Sequence, residues 1–181
     1  MCYSAIAIAN YFIQKGKDFA VPLSNMHLQK MVFFAHAAYF KENERPLIVD
    51  PVMAWLHGPV IESLYHELKR YGNGDIKELV SKVVPCQDDK PFPCKLVIPG
   101  VREDDNDTIA YLSKVWKTLA HVETWKLRKL SHEKGGAWYK TILDYAKSQD
   151  RKIDPSNDAE VEAFLPRNLV ILDPVIQECG R

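Results

Sequence analysis

The chain has no apolar run near the roughly 18 residues that a membrane-spanning helix requires, so a membrane protein is not its first reading. It also has no surplus charge. Lys plus Arg and Asp plus Glu each total 24, which leaves no global field to attract a polyphosphate backbone. The start, MCYSAIAIANYFIQKGK, lacks a basic segment ahead of its apolar part, so it does not read as a signal peptide, and a cytoplasmic location is expected. Four cysteines in 181 residues, at positions 2, 86, 94 and 179, are too few for a disulfide scaffold. Reduced thiols are therefore expected.

Catalytic and metal-binding patterns are missing as well. His66-Glu67 and His132-Glu133 begin like a zinc-protease helix, but the second histidine of that motif is replaced by Arg70 and Gly136. Cys86 and Cys94 stand too far apart for a zinc knuckle, with no second close pair to complete four ligands. There is no G-x-S-x-G elbow, no catalytic-cysteine context and no glycine-rich phosphate loop. The residues thus predict no catalytic group, no metal and no cofactor. His57 and His66 admit two readings: a general base or phosphate contact at a helix start, or a turn histidine packed against backbone and a solvent-facing one. His36 reads as buried and hydrogen-bonded. The four tryptophans read first as core, although Trp55, beside a turn, could anchor an interface. Two alternative functions stay open: a small hydrolase or transferase using His36, His57, His66 or His132 in a cleft, and a regulator binding nucleic acid through residues 114–152. That block carries 10 basic and 4 acidic residues.

What is present is helical periodicity. With 46% apolar and 27% charged residues, the composition is that of an ordinary soluble globular chain. Ala5, Ile8, Ala9, Phe12 and Ile13 mark a helix over about 4–15, and Leu28, Met31, Val32, Ala35 and Tyr39 mark a second over 25–41 behind the capping residues Ser24 and Asn25. Small residues late in this second helix place it at the centre of the core. PLIVDPVMAWLHGP predicts two short extended pieces around a turn, with Pro59 as the first residue of a third helix. Residues 75–83 predict a short fourth helix, 85–94 a proline-rich loop, and 95–101 a short extended segment. Further helices are expected from about 107, from Thr124, over 138–147 and within an acidic segment after 153. The expected fold is mainly α with some β (α+β): about seven helices and a few short strands, including one around 46–56. Residues 1–181 are expected to form a single domain with 153–181 packed on it as an acidic C-terminal extension.

Four stretches carry a resemblance: YSAIAIANYFI, LSNMHLQKMVFFAHAAYF, PLIVDPVMAWLHGPVIESLYHELKRYG and LRKLSHEKGGAWYKT. Together they resemble the SocA-like Panacea domain of bacterial and phage antitoxins over residues 3–75 and 124–142. The most specific part is Ala54-Trp55 with Gly58-Pro59-Val60, supported by Leu28-Gln29-Lys30 and by Ser131-His132 with Trp138. His57 departs from the tyrosine common before the Gly-Pro. The resemblance implies a non-enzymatic antitoxin that binds a toxin encoded beside it. One branch of the family delivers its toxin to a Clp-type protease. It implies no catalytic residue, and it marks Gln29, Lys30, Trp55, His57, Gly58, Pro59, Tyr65, His132 and Trp138 as motif or partner-binding positions.

Overall fold

The computed structural model describes residues 2–85 and 94–171. Cys86 and Cys179 and most of the 85–94 loop lie outside the described residues. Helix α1 (Ala5–Asp18) starts where the Ser4 hydroxyl accepts the Ala7 amide. Helix α2 (Asn25–Asn43) starts where Ser24 accepts the amide of His27. These short polar side chains satisfy donors that a helix start leaves unpaired. Helix α2 is buried on most of its circumference, including Gln29, Lys30 and His36. As expected, it is the central element, packing against α1 and against the elements introduced below.

Strands β1 (Met53–Trp55) and β2 (Gly58–Val60) form an antiparallel hairpin closed by Leu56 and His57. Helix α3 (Glu62–Leu68) and a 3-10 turn (Lys69–Tyr71) follow. A second hairpin pairs β3 (Lys82–Pro85) with β4 (Cys94–Val97). Then come α4 (Asn106–Leu119), α5 (Thr124–Ser131), α6 (Ala137–Ser148) and α7 (Asp158–Phe164). Among the described residues there are thus seven helices and four short strands, a mainly α fold with some β. The core joins α1 and α2 to Leu47, Ile48, Ile61, Leu64, Leu112, Leu127, Trp138 and Ile142. Past α7, Leu169 and Ile171 pair with the outer side of β1 through Ala54 N–H to Leu169 O (2.7 Å) and Ile171 N–H to Val52 O (2.8 Å).

Two elements differ from the sequence expectation. Pro59 does not open a helix; it lies in β2 opposite Ala54. Because the Ala54 amide points outward to Leu169, this position needs no donor from β2, and a proline fits without losing a ladder bond. The helix begins only at Glu62. Residues 75–81 are irregular, not helical. Asn10 holds Val80 by both its backbone groups (2.8 and 2.9 Å), and the Ile76 amide bonds Leu23 O (2.8 Å). Tertiary bonds here replace the intrahelical ones, with Ile76 and Val80 buried. Reduced thiols hold for Cys94, which is free and exposed, but not for Cys2, which is disulfide-bonded.

Candidate functional site

A two-residue turn normally leaves its carbonyls to water. In the β1–β2 hairpin they face the protein instead, because Ala54, Gly58, Pro59 and Val60 are all buried. Buried carbonyls require donors, and the donors come from three distant places on the chain. Trp138 Nε1–H donates to Trp55 O (2.8 Å). Lys30 Nζ donates to His57 O (2.7 Å) and to Pro59 O (3.0 Å). Gln29 binds Ile61 in both directions: its Nε2 donates to Ile61 O (3.3 Å) and its Oε1 accepts the Ile61 amide (2.9 Å). His132 sets Nε2 3.3 Å from Leu56 O and Nδ1 2.7 Å from Arg128 O. A neutral ring has one N–H and satisfies one of these carbonyls; an imidazolium satisfies both. Burial lowers the His132 pKa, and the two carbonyls oppose that shift.

Gly58 is where these groups converge. Its φ is +92°, and a Cβ there would sit 2.7 Å from Ser131 Oγ, 2.8 Å from His132 Cε1 and 2.8 Å from Lys30 Nζ. Only glycine both adopts this backbone and admits the three side chains. Ser131 Oγ donates to Arg128 O (2.7 Å), and His132 packs on Trp138 with ring centroids 4.1 Å apart. Lys30 is fully buried, and its pKa falls to about 7 through burial first and the Arg128 charge second.

The structure therefore gathers the nine motif residues around one hairpin, but in different roles. Gln29, Lys30, Gly58, Pro59 and Trp138 are buried, and His132 is half-buried beneath the turn. Trp55, His57 and Tyr65 reach the surface, with the Trp55 and Tyr65 rings edge to face at 5.0 Å. His57 does not pack in the turn as expected. Its ring is exposed, and only its carbonyl is held. His66 is exposed and His36 is buried, its Nδ1 accepting the Leu47 amide (3.3 Å). Trp125, expected in the core, is 60% exposed in the first turn of α5, with the Lys126 ammonium 5.4 Å from its ring. Arg128 and Asn25 escaped notice as site residues: the first contributes a backbone carbonyl, which no side-chain pattern signals, and the second read only as a cap.

A cleft of about 330 Å³ adjoins the hairpin, lined in part by Asn25, Gln29, Trp55, His57, Tyr65 and Lys69. A larger groove of about 810 Å³ lies between α2, α6 and residues 169–171, with His36 at its wall. Among the described residues, neither cavity brings two of His36, His57, His66 and His132 together, and no group of three or more His, Cys, Asp or Glu side chains is placed to hold a metal ion. No described helix is long and apolar enough to cross a membrane.

Replacing Gln29 by Leu is expected to lower stability by about 2 kcal/mol, because it strands the buried Ile61 amide and takes one of two donors from the Ile61 carbonyl, which keeps the Tyr65 amide. His57→Ala, which removes only an exposed ring, is expected to change it by less than about 0.5 kcal/mol. Urea unfolding of both variants checks the contrast, and equal effects would contradict the assignment of roles.

Leu28-Gln29-Lys30, Ala54-Trp55, Gly58-Pro59-Val60 and His132 with Trp138 all fall within the span of one family match. The model of the family described as "Antitoxin SocA-like, Panacea domain" matches residues 28–139. Antitoxin SocA of Caulobacter vibrioides is 28% identical over 134 residues, covering 74% of this chain and 68% of that protein. No solved structure matches significantly. With the matched span holding both the hairpin and nearly every side chain that secures it, the chain belongs to the SocA-like Panacea-domain antitoxin family.

Proposed function

We propose that this protein is a non-catalytic antitoxin of the cytoplasm that neutralises a cognate toxin by binding it directly. The observation that carries this reading is the use made of the motif's polar side chains. Gln29, Lys30 and Trp138 direct their polar atoms at the hairpin backbone, and His132 faces two carbonyls. A general base needs a lone pair within reach of a substrate proton, and these groups are committed inside the fold. What the hairpin and α3 offer outward is Trp55 and Tyr65, residue types suited to anchoring a protein surface, with His57 beside them. The antitoxin role of the relative in Caulobacter vibrioides supports the same reading.

Co-expression with the product of the neighbouring gene tests it. Growth arrest by that product alone, rescue by this protein and co-purification of the two are expected. A harmless neighbour, or a toxic one that forms no complex, overturns the reading. The half-life of the toxin in the rescued cells separates direct neutralisation, which leaves it stable, from delivery to a Clp-type protease, which shortens it.

A further inference from the structure

Two residues that line the cleft beside the hairpin each carry a buried polar atom that the fold leaves unsatisfied. Trp55 Nε1–H and Asn25 Oδ1 are both buried and have no hydrogen-bond partner, and both residues line the same cavity of about 330 Å³. Asn25 is only 7% exposed. Unpaired buried groups are rare in native proteins and each costs on the order of 1–3 kcal/mol. The contrast with the adjacent side chains is sharp: Trp138 Nε1 and the Gln29 amide, a few residues away on the same elements or packed against them, are fully engaged with the hairpin.

One orphan is a donor and the other an acceptor. The remaining walls include Met26, Leu56, Val60 and Tyr65, with the polar His57, Lys69 and Asn73 also in the lining. An amide offers an acceptor and a donor on two separate atoms of a small planar frame. We propose that this cleft is a recognition pocket for an amide of a protein partner, its carbonyl accepting from Trp55 Nε1–H and its N–H donating to Asn25 Oδ1. Each orphan atom exposes less than 1 Å² in the free protein, so the amide enters by turning the Asn25 carboxamide, whose terminal torsion is soft, and by a small tilt of the half-buried indole. The binding energy includes relief of the two unsatisfied groups, which a partner presenting only a carboxylate would not give, since it has no N–H for Asn25.

The identity of the partner as a toxin rests on the antitoxin reading; the pocket's chemistry does not. Titration of the ¹⁵N-labelled protein with N-methylacetamide tests the chemistry alone. A saturable downfield shift of the Trp55 indole N–H, assigned by its loss in Trp55→Phe, is expected, with the exposed Trp125 and the already bonded Trp138 as controls. A Trp55 resonance that moves no more than that of Trp125, or that responds to acetate and not to the amide, overturns the proposal. Calorimetry with the purified toxin is the second arm. Trp55→Phe and Asn25→Ala are each expected to weaken binding about tenfold, while Trp55→Phe leaves the thermal midpoint of the free protein unchanged or higher, because it removes an unpaired donor. A lowered midpoint with unchanged affinity identifies Trp55 as a packing residue and sinks the pocket. A wild-type protein that binds no toxin but shows the saturable amide shift sinks the antitoxin reading and leaves the pocket standing.

Discussion

Gly58→Ala is expected to destabilise the protein by about 3–5 kcal/mol, lowering the thermal midpoint by roughly 10 °C for a chain of this size. Two costs combine. The backbone at φ +92° is one that a side chain with a Cβ rarely adopts, worth on the order of 1–3 kcal/mol of strain. The added methyl also meets Ser131 Oγ, His132 Cε1 and Lys30 Nζ, all within 2.8 Å. The lysine is the flexible member of this trio, but it gives way only by leaving the carbonyls of His57 and Pro59. Scanning fluorimetry measures the midpoint directly. Gly135→Ala is the internal control: it shares the positive φ, and its Cβ meets no atom within 4 Å. If the two substitutions cost the same, convergence of side chains on Gly58 contributes nothing and only backbone strain remains.

Lys30→Met is expected to cost about 2–4 kcal/mol at pH 8, where it leaves two buried carbonyls without donors, and less at pH 6. The difference follows from the amine itself. Its pKa is about 7 in the folded protein, against an ordinary 10.5. Below pH 7 both folded and unfolded chains carry the proton, and the folded state bears the full cost of a buried charge. Between pH 7 and 10.5 the unfolded chain binds more protons, so wild-type stability rises with pH. At about 1.4 kcal/mol per pKa unit, the gain between pH 7 and 9 is roughly 2 kcal/mol. Tyr3, Tyr11 and Tyr111 have pKa values raised chiefly by burial and act in the opposite sense above pH 10, which makes pH 6–9 the informative window. Urea titrations across it should show a rising wild-type stability and a flatter Lys30→Met curve. Parallel curves would mean that the amine stays charged throughout.

Local periodicity made most of the helices legible, because α1, α2, α4 and α6 each bury a face whose spacing is written in consecutive residues. The strand at Pro59 was harder. A proline after Gly58 reads equally as a helix start or as a strand position needing no donor, and the choice was made by Leu169, 110 residues further on. The 75–83 segment carries apolar residues at helical spacing, yet the carboxamide of Asn10 supplies the bonds that a helix would have made for itself. The candidate site was legible as a set of residues and not as a set of roles. Gln29 and Lys30 stand out in the sequence as polar side chains on a largely apolar helix, and His132 and Trp138 flank the break between α5 and α6, but nothing local says that they point at the backbone of one hairpin. Asn25 could not be distinguished from a cap without seeing that Ser24 already fills that position.

The donors that secure the hairpin come from residues 29–30 on one side and 132–138 on the other. During synthesis the hairpin leaves the ribosome with only the first set in place. Some 75 further residues must be translated before Trp138 can reach the carbonyl of Trp55 and His132 that of Leu56. Until then the nascent chain exposes the apolar side of β1 and β2 together with carbonyls it cannot pair. The hairpin and its outward face are therefore secured late, and a polypeptide truncated before α6 would leave the carbonyls of Trp55 and Leu56 without Trp138 and His132.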